Sequence, residues 1–543
     1  MISTRNFKVC LVNPPVIAVL EPWYDIPDFG RTALAYLAGY LRQFEGFEIK
    51  IIDAKFERLN FEQTLEEIKT FQPDIVGLTA FTNEIKPAAY MAHIVKENIK
   101  NCCTVVGGAH ITAIPKETMQ EFPMIDYGVE GEGEETFMEL CTALKSRKDY
   151  NDEIDFHSIN GLLFRENGDI IQNKPRERIL DQDSIPFPAW DLLPKADAYF
   201  VQSMRGCPFN CLFCMNPNGR IARKRSVENV MEELRWIVDE FKPKRISFGD
   251  ELFSVDIPRT HQLLQAMAKE GIGKKVSWDV QTHVHYVNKE LFEDFKKANV
   301  EIVEVGIETG DEEMLRKMGK GTNLKLIESA CKAGKEAGVK IGSFFLFGQP
   351  NENKESLEKT VNLAVKINPD LPMFGLMTPY PGTEVARMAA KQENGYKLLS
   401  TDWDEYNKQI GGAMEFANLS RAQIEWFQIK AYTKVYLYNK RFTDFVKFVW
   451  DYKEAAWEVL KKMLLRRKSI VKHHKKPSDY DSVLNVENSR KANINDFVTS
   501  RENWNKTQQR EMKRAKKASP ELHKSIRKKK DDKQKESSGL KSA

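Results

Sequence analysis

The stretch Met204-Arg-Gly-Cys-Pro-Phe-Asn-Cys-Leu-Phe-Cys-Met215 sets Cys207, Cys211 and Cys214 at spacings of four and three residues. Gly206 and Pro208 make this stretch a loop rather than a helix or strand. Three thiolates on one short loop can each take one iron of a cubane 4Fe–4S cluster, which leaves the fourth iron without a local cysteine. An open iron suits a reaction, whereas an electron-transfer cluster keeps every iron closed. A structural zinc site is the alternative, but it pairs two cysteines with two further ligands at a distance. No second pair of that kind occurs in the chain. The other five cysteines, Cys10, Cys102, Cys103, Cys141 and Cys331, sit in apolar or helical surroundings and are expected to be buried, inert thiols.

Such a loop needs rigid carriers. From Tyr199 to about Asp402 strand and helix alternate. The predicted strands are Tyr199–Met204, Arg245–Phe248, Val276–Gln281, Ile302–Ile307, Lys340–Phe347 and Phe374–Thr378, with helices such as Val227–Glu240 and Leu324–Ala337 between them. Six βα units make an incomplete barrel with its chemistry at the carboxyl ends of the strands. The triad follows the first strand. Asp250 and Glu251 follow the second, and Glu308 stands at the end of the fourth.

Ahead of this lies a second α/β unit. Short apolar strands end at Asn13, Asp53, Thr79, Gly107-Gly108 and Glu130-Gly131, with helices between them. That alternation predicts a doubly wound, mainly parallel sheet, whose ligands lie at the carboxyl ends of its strands. Residues 1–150 are therefore expected to form one domain and 151–196 a linker. Within the linker Asn167-Gly168, flanked by apolar runs, marks a β-hairpin, and Ile185-Pro-Phe-Pro-Ala-Trp190 is expected to be extended. The barrel is expected over 197–402 and a helical region over 403–470. The stretch 471–543 loses periodicity and is expected to be a mostly disordered basic tail.

The C-x3-C-x2-C loop after the first strand of a partial barrel, with Phe213 just before its last cysteine, resembles the radical S-adenosylmethionine superfamily. In that family the open iron is chelated by the amino and carboxyl groups of the cofactor. An electron from the cluster breaks a carbon–sulfur bond, giving methionine and a 5′-deoxyadenosyl radical that takes hydrogen from an unactivated carbon. Ser247-Phe-Gly-Asp-Glu-Leu-Phe253 is similar to the acidic motif that meets the cofactor amine, which implies that role for Asp250 and Glu251. Glu308, in Val305-Gly-Ile-Glu-Thr-Gly310, resembles the carboxylate that binds the ribose hydroxyls. Phe345-Leu-Phe-Gly-Gln-Pro350 and Thr378-Pro-Tyr-Pro-Gly-Thr383 resemble the fifth- and sixth-strand segments.

The first domain resembles the cobalamin-binding domain of the B12-dependent members of that superfamily. Asn13-Pro14-Pro15, Ile52-Asp53-Ala54, Val106-Gly-Gly-Ala-His110 and Gly128-Val-Glu-Gly-Glu-Gly-Glu134 carry the resemblance. It implies cobalamin near Asn13, Asp53, Thr79, Gly107, Gly108, Glu130 and Gly131, where glycines let backbone approach a flat ring closely. A bare structural domain is the alternative. The Asp-x-His-x-x-Gly motif of methionine-synthase-like cobalamin proteins is absent, since Asp155-Phe-His157 lies in the linker with Asn160 in place of Gly. His110 is expected either to approach the ring or to serve packing or capping.

The resemblance implies methyl transfer to an unreactive carbon, with one S-adenosylmethionine regenerating methylcobalamin and a second supplying the radical. The layout also resembles the anaerobic cyclase of bacteriochlorophyll synthesis, which oxidises instead. A cluster-bearing sensing protein without turnover is a third reading, against which the intact Asp250, Glu251 and Glu308 count. Methylthiolation is disfavoured, because Cys10, Cys102 and Cys103 lack the necessary spacing. The expected partners are a small-molecule substrate and a reductant such as flavodoxin or ferredoxin, with no specific nucleic acid. Phe442–Leu465 sets aromatic and aliphatic residues among basic ones, so it is expected to pack on the barrel, close over a hydrophobic substrate or touch a membrane surface.

At 543 residues and 41% hydrophobic content the chain is long enough for two or three cored domains. Its net charge of +4 is uneven. Arg510–Ala543 holds 13 Lys and Arg against 5 Asp and Glu, so the body is slightly acidic and the basicity is a tail. The apolar run near the start is broken by Asn13-Pro14-Pro15, unlike an export signal. No run reaches the roughly 18 apolar residues of a membrane span. A cytoplasmic location is expected.

Overall fold

The structure, a computed structural model, describes residues 6–15, 27–150, 153–406, 413–451, 453, 484 and 493–514. Seven strands form the first sheet. They are β1 (Phe7–Asn13), β2 (Phe47–Asp53), β3 (Ile75–Thr79), β4 (Cys103–Gly107), β5 (Tyr127–Val129), β6 (Leu162–Glu166) and β7 (Asp169–Gln172), in the order β2-β1-β3-β4-β5-β6-β7. The first five run parallel, and β6 and β7 add antiparallel at one edge. Strand order reverses between β1 and β3, which opens a crevice where Asn13 and Thr79 end their strands. β1 is buried at six of its seven positions, as a strand covered by helices on both faces should be.

The expected hairpin forms. Asn167 and Gly168 both take positive φ, at 50° and 89°, as a two-residue primed turn requires. Its strands are part of the first sheet, so the stretch from 162 to 172 is structural in that domain and more than a connection.

The second sheet is all parallel. β8 (Ala198–Val201) leads into the short ribbon of β9 (Met204–Arg205) and β10 (Arg223–Lys224), which brackets the cysteine loop. β11 (Arg245–Phe248), β12 (Ser277–Thr282), β13 (Ile302–Glu308), β14 (Lys340–Phe347) and β15 (Leu371–Leu376) follow, in the order β15-β14-β13-β12-β11-β8. This is the expected incomplete barrel of six βα units. Its helices start where side chains cap them: Ser226, Asp256, Asn288, Asn323 and Asn353 each accept a backbone N–H of the first turn.

One buried core is shared by the two domains, running from Leu34 and Ala38 through Trp190 to Val201 and Phe248. The proline-rich stretch mediates the join. Gly39 admits it closely, since a Cβ there would lie 2.3 Å from the Phe187 carbonyl oxygen. The chain later returns to the first domain through β16 (Tyr396–Leu398), β17 (Met414–Phe416) and the short helical turn Trp403–Glu405. Trp403 in that turn is fully buried and donates to Glu121 at 3.0 Å. Burying about 200 Å² of indole is worth about 5 kcal/mol at 25 cal/mol per Å². Beside it Lys86 pairs with Asp402 at 2.5 Å and with Asp404 at 2.9 Å.

The helical region begins with Arg421–Tyr438 and Phe442–Asp451. Phe445 and Phe448 pack on Tyr432 and Tyr436, while Phe442, Val446 and Trp450 are exposed. Trp457, Leu460 and Leu464 lie outside the described residues. Among the described residues no helix is long and apolar enough to cross a membrane. Within the stretch expected to be mostly disordered, residues 494–514 form a helix packed on the rest of the protein. The basic residues from 515 onward lie outside the described residues.

Candidate active site

The cysteine loop is closed by a glycine that nothing else can replace. Gly206 has φ +95°, and a Cβ there would lie 2.2 Å from the Ile221 carbonyl oxygen. Cys207 N–H donates to Gly219 at 2.9 Å, Cys214 N–H to Cys211 at 3.1 Å, and the Asn216 amide to the Cys207 carbonyl at 2.5 Å. None of the three cysteines is in a disulfide; Cys207 and Cys211 are half-buried, and Cys214 is exposed. Phe213, half-buried, packs against a buried apolar cluster that spans the first domain and the barrel's Leu346, Met377 and Val385. Burial pushes the Cys207 thiol up to about 11 and Cys211 to about 12, so cations are what such thiols need in order to ionise. Among the described residues no three of His, Cys, Asp and Glu close around a single ion. A cubane cluster fits this donor set, because it takes each thiolate on a separate iron.

Two carboxylates brace the loop from below. Asp250 is buried, accepting Ser203 N–H at 2.6 Å and Met204 N–H at 3.1 Å on one oxygen and the Ser203 hydroxyl at 2.5 Å on the other. Burial pushes it up to about 6 against these bonds. Glu251 accepts Gly206 N–H at 3.2 Å and the Asn218 amide. The structure therefore brings both residues to the base of the loop. It spends Asp250 on the strand end and leaves the half-buried Glu251 at the rim.

Glu308 ends β13 with φ +69°, where the register with β14 shifts. A non-glycine residue held there is strained, and such strain clusters at functional sites. Its partner is Lys320, a buried lysine with which it forms an ion pair. The same loop rests on the triad, since Leu212 N–H donates to Met318 at 3.2 Å. Lys320 also faces Cys211 and His283 electrostatically. His283 is buried and stacks on Phe209 of the cysteine loop at 4.3 Å. Sequence reasoning missed Lys320 and His283; the flanking Gly319 and Gly321 were the only signal for the first.

At the strand ends of the first domain the expected residues divide into two sets. Asp53 is fully buried and caps a helix turn, accepting from Asn13 at 2.6 Å, Arg31 N–H at 2.6 Å and Phe56 N–H at 3.2 Å. It braces the rim rather than facing a ligand. Glu130 accepts from Gln172 at 2.8 Å and is likewise tied inward. Gly108 is required by the Ala80 carbonyl, 2.7 Å from where its Cβ would stand. Gly131 has nothing within 4 Å of a Cβ, Gly107 has its nearest neighbour at 4.0 Å, and the side-chain oxygen of Asn13 is buried without a partner. With the half-exposed Thr79 they form an open, glycine-surfaced rim with one unmet acceptor, which fits the flat face and amide edge of a corrin. His110 does not belong to it. Its ring is fully buried and packs edge-on to Trp403 at 4.7 Å.

The loop after β5 joins the two sites. Glu134 pairs with Arg205 at 2.7 Å, and Glu132 with Arg223 at 2.5 Å, all four side chains being buried. Arg205 lies over Tyr36 at 4.7 Å. These arginines flank the cysteine loop, one on each strand of its ribbon. The glycine-rich loop read from sequence as cobalamin-facing thus also fastens the first domain to the triad.

The chain matches the family model for the radical SAM superfamily over residues 201–364 and that for the B12 binding domain over 16–141. An uncharacterized methyltransferase of Pyrococcus horikoshii is 35% identical over 447 residues, 80% of this chain and 94% of that protein. The anaerobic magnesium-protoporphyrin IX monomethyl ester cyclase of Rubrivivax gelatinosus is 29% identical over 387 residues, 69% of this chain and 68% of that protein. Among solved structures, that of the cobalamin-dependent S-adenosylmethionine radical enzyme OxsB with aqua-cobalamin and S-adenosylmethionine bound shares the fold. The TM-score is 0.65 at 17% identity, over 96% of this chain and 82% of that one.

Proposed function

We propose that this chain, which belongs to the radical SAM superfamily and within it to the members that carry a B12-binding domain, methylates an unactivated carbon of a small molecule. It is a radical SAM enzyme whose cofactors are a 4Fe–4S cluster, S-adenosylmethionine and cobalamin. When bound, these groups supply the electron that cleaves S-adenosylmethionine, the 5′-deoxyadenosyl radical and the methyl carrier. The observation that carries the reading is the buried Glu132, Glu134, Arg205 and Arg223 network. It fixes the glycine rim of one domain against the cysteine loop of the other, as a reaction using both cofactors on one substrate requires.

In this reading Cys207, Cys211 and Cys214 hold three irons. Glu251 meets the amine of S-adenosylmethionine, Asp250 holds the strand end beneath it, and Glu308 with Lys320 faces the ribose. Phe213 packs beside the last cysteine. Asn13, Thr79, Gly107 and Gly131 receive the corrin, with Asp53, Gly108 and Glu130 supporting them. The partners are a small-molecule substrate and an external reductant, for which we propose a flavodoxin or ferredoxin. The exposed Phe442, Val446 and Trp450 support contact with a hydrophobic substrate or a lipid surface.

The test needs no substrate. Reduced, cobalamin-loaded enzyme is given S-adenosylmethionine deuterated in its methyl group, and cobalamin is recovered for mass spectrometry. Trideuteromethyl-cobalamin together with S-adenosylhomocysteine is expected. Formation of 5′-deoxyadenosine without methylated cobalamin would instead favour oxidative chemistry of the cyclase kind.

A further inference from the structure

We propose that the helix over residues 494–514 is a strap that holds the cysteine loop in its cluster-carrying shape, with Arg501 and Trp504 as positioning residues. The inference rests on the assignment of the cluster to Cys207, Cys211 and Cys214. The loop carries no helix or strand between Gly206 and Arg220, and fixing each of its residues costs about 1–2 kcal/mol of backbone entropy. The strap adds contacts to it at two points. The Trp504 indole N–H donates to the Met215 carbonyl at 2.5 Å, and Gln508 reaches the same oxygen at 3.4 Å. Met215 directly follows Cys214. Arg501 donates to the Asn210 side-chain oxygen at 3.3 Å and to the Gly382 carbonyl at 3.1 Å. Asn210 lies between Cys207 and Cys211, and its side-chain oxygen also accepts from Arg220, which in turn donates to Gln508.

The strap is itself anchored to several parts of the molecule. Ser500 donates to Ala113 of the first domain, Arg501 pairs with Glu384 of the barrel at 3.3 Å, and Glu511 pairs with Arg178 at 2.9 Å. Phe497 packs against Trp403 and Tyr406. The side chains of Phe497, Ser500, Arg501, Trp504 and Gln508 are all buried and lie on one helical face. Displacing this helix would uncover both sides of the loop. Arg220 also sets its guanidinium charge within electrostatic reach of all three cysteines, and Arg501 within reach of Cys214. Positive charge there favours the more negative, reduced form of a cluster.

The experiment compares the full chain with Trp504→Phe, which keeps a ring but loses the donor, and with Arg501→Gln. Hydrogen exchange is measured anaerobically on the apo-proteins. Iron release to a chelator and the midpoint potential, followed by electron paramagnetic resonance, are measured on the reconstituted ones. Exchange over 207–216 is expected to rise at least tenfold in both variants while β13 and β14 stay protected. Iron is expected to leave faster from both, and the potential of Arg501→Gln to fall. Unchanged exchange, iron release and potential in both variants would overturn the strap. A Cys207→Ala chain that still assembles the cluster would overturn the assignment beneath it, and the apo-protein exchange distinguishes that failure from the strap's own.

Discussion

Glu134 and Arg205 form a buried ion pair at 2.7 Å, and Arg205 stands two residues before Cys207. The charge that holds the first domain in place is thus almost part of the cysteine loop. Breaking a buried pair costs about 3–5 kcal/mol, because the survivor is left charged and dry. Glu134→Gln leaves Arg205 only the longer contact with Glu132 at 3.7 Å. We expect this variant to lose at least about 2 kcal/mol in urea denaturation and to become sensitive to limited proteolysis between the domains. Equal stability to wild type would mean that the pair is not what joins the two sites.

Replacing Cys207, Cys211 or Cys214 by Ala should each abolish formation of 5′-deoxyadenosine and lower the iron content after reconstitution. Cys10→Ala and Cys141→Ala should leave both intact, since those thiols are fully buried in the first domain and burial raises them. Full cofactor cleavage in any one triad variant would break the ligand assignment.

The barrel and the doubly wound sheet were legible because apolar runs of strand length alternate with amphipathic helices. The triad was legible because three cysteines within eight residues suit a metal cluster and little else. What stayed hidden depends on contacts across long sequence distances. Lys320 looks like any surface lysine until Glu308 is found beside it. Asp53 ends a strand as a ligand-facing residue would, yet its oxygens are consumed by Asn13, Arg31 and Phe56. The strap escaped because its buried face carries Ser500, Arg501 and Gln508, polar residues that blur the 3.6-residue apolar period. Their partners, the carbonyls of Ala113, Gly382 and Met215 and the side chains of Asn210, Glu384 and Arg220, lie more than a hundred residues away, which sequence does not display.

Glu308 and Lys320 are both buried, so each single change should strand a charge. Glu308→Gln and Lys320→Met are each expected to destabilise the protein by about 3 kcal/mol. The double variant should recover at least half of that loss, which is the mark of a direct pair. Binding of S-adenosylmethionine, measured calorimetrically, should be weakened in every variant that lacks the Glu308 carboxylate. Additive losses in the double variant would show that the two side chains act independently.

Two glycines separate folding from cofactor approach. Gly206→Ala forces a Cβ to 2.2 Å from the Ile221 carbonyl oxygen and should prevent the loop from taking up iron. Gly131→Ala meets nothing within 4 Å, and its φ of +81° costs only about 1–2 kcal/mol. We therefore expect Gly131→Ala to fold and to bind iron normally but to retain less cobalamin, read from the absorbance of the bound cofactor. Undiminished cobalamin would remove Gly131 from the rim that receives the ring.

His110 and His283 are buried, and loss of solvation pushes each down to about 3. In the unfolded chain histidine titrates near 6.5, so below that pH the unfolded form takes up a proton that the folded form refuses. Stability from these groups is complete above 6.5 and is lost as the pH falls toward 3. At about 1.4 kcal/mol per pH unit, each histidine costs about 2 kcal/mol between pH 6.5 and 5. Asp250 and Glu352 act in the opposite sense, because burial pushes them up to about 6 and about 7 and favours the folded form as the pH falls. The net slope of the wild type therefore mixes both signs. His110→Phe keeps a ring against Trp403 and removes one histidine. The difference between variant and wild type in urea midpoints at pH 7 and pH 5 then isolates that residue, since the carboxyl contributions cancel. We expect the variant to lose less stability on acidification by about 2 kcal/mol. Identical pH dependence in the two proteins would show that His110 accepts its proton within the folded state.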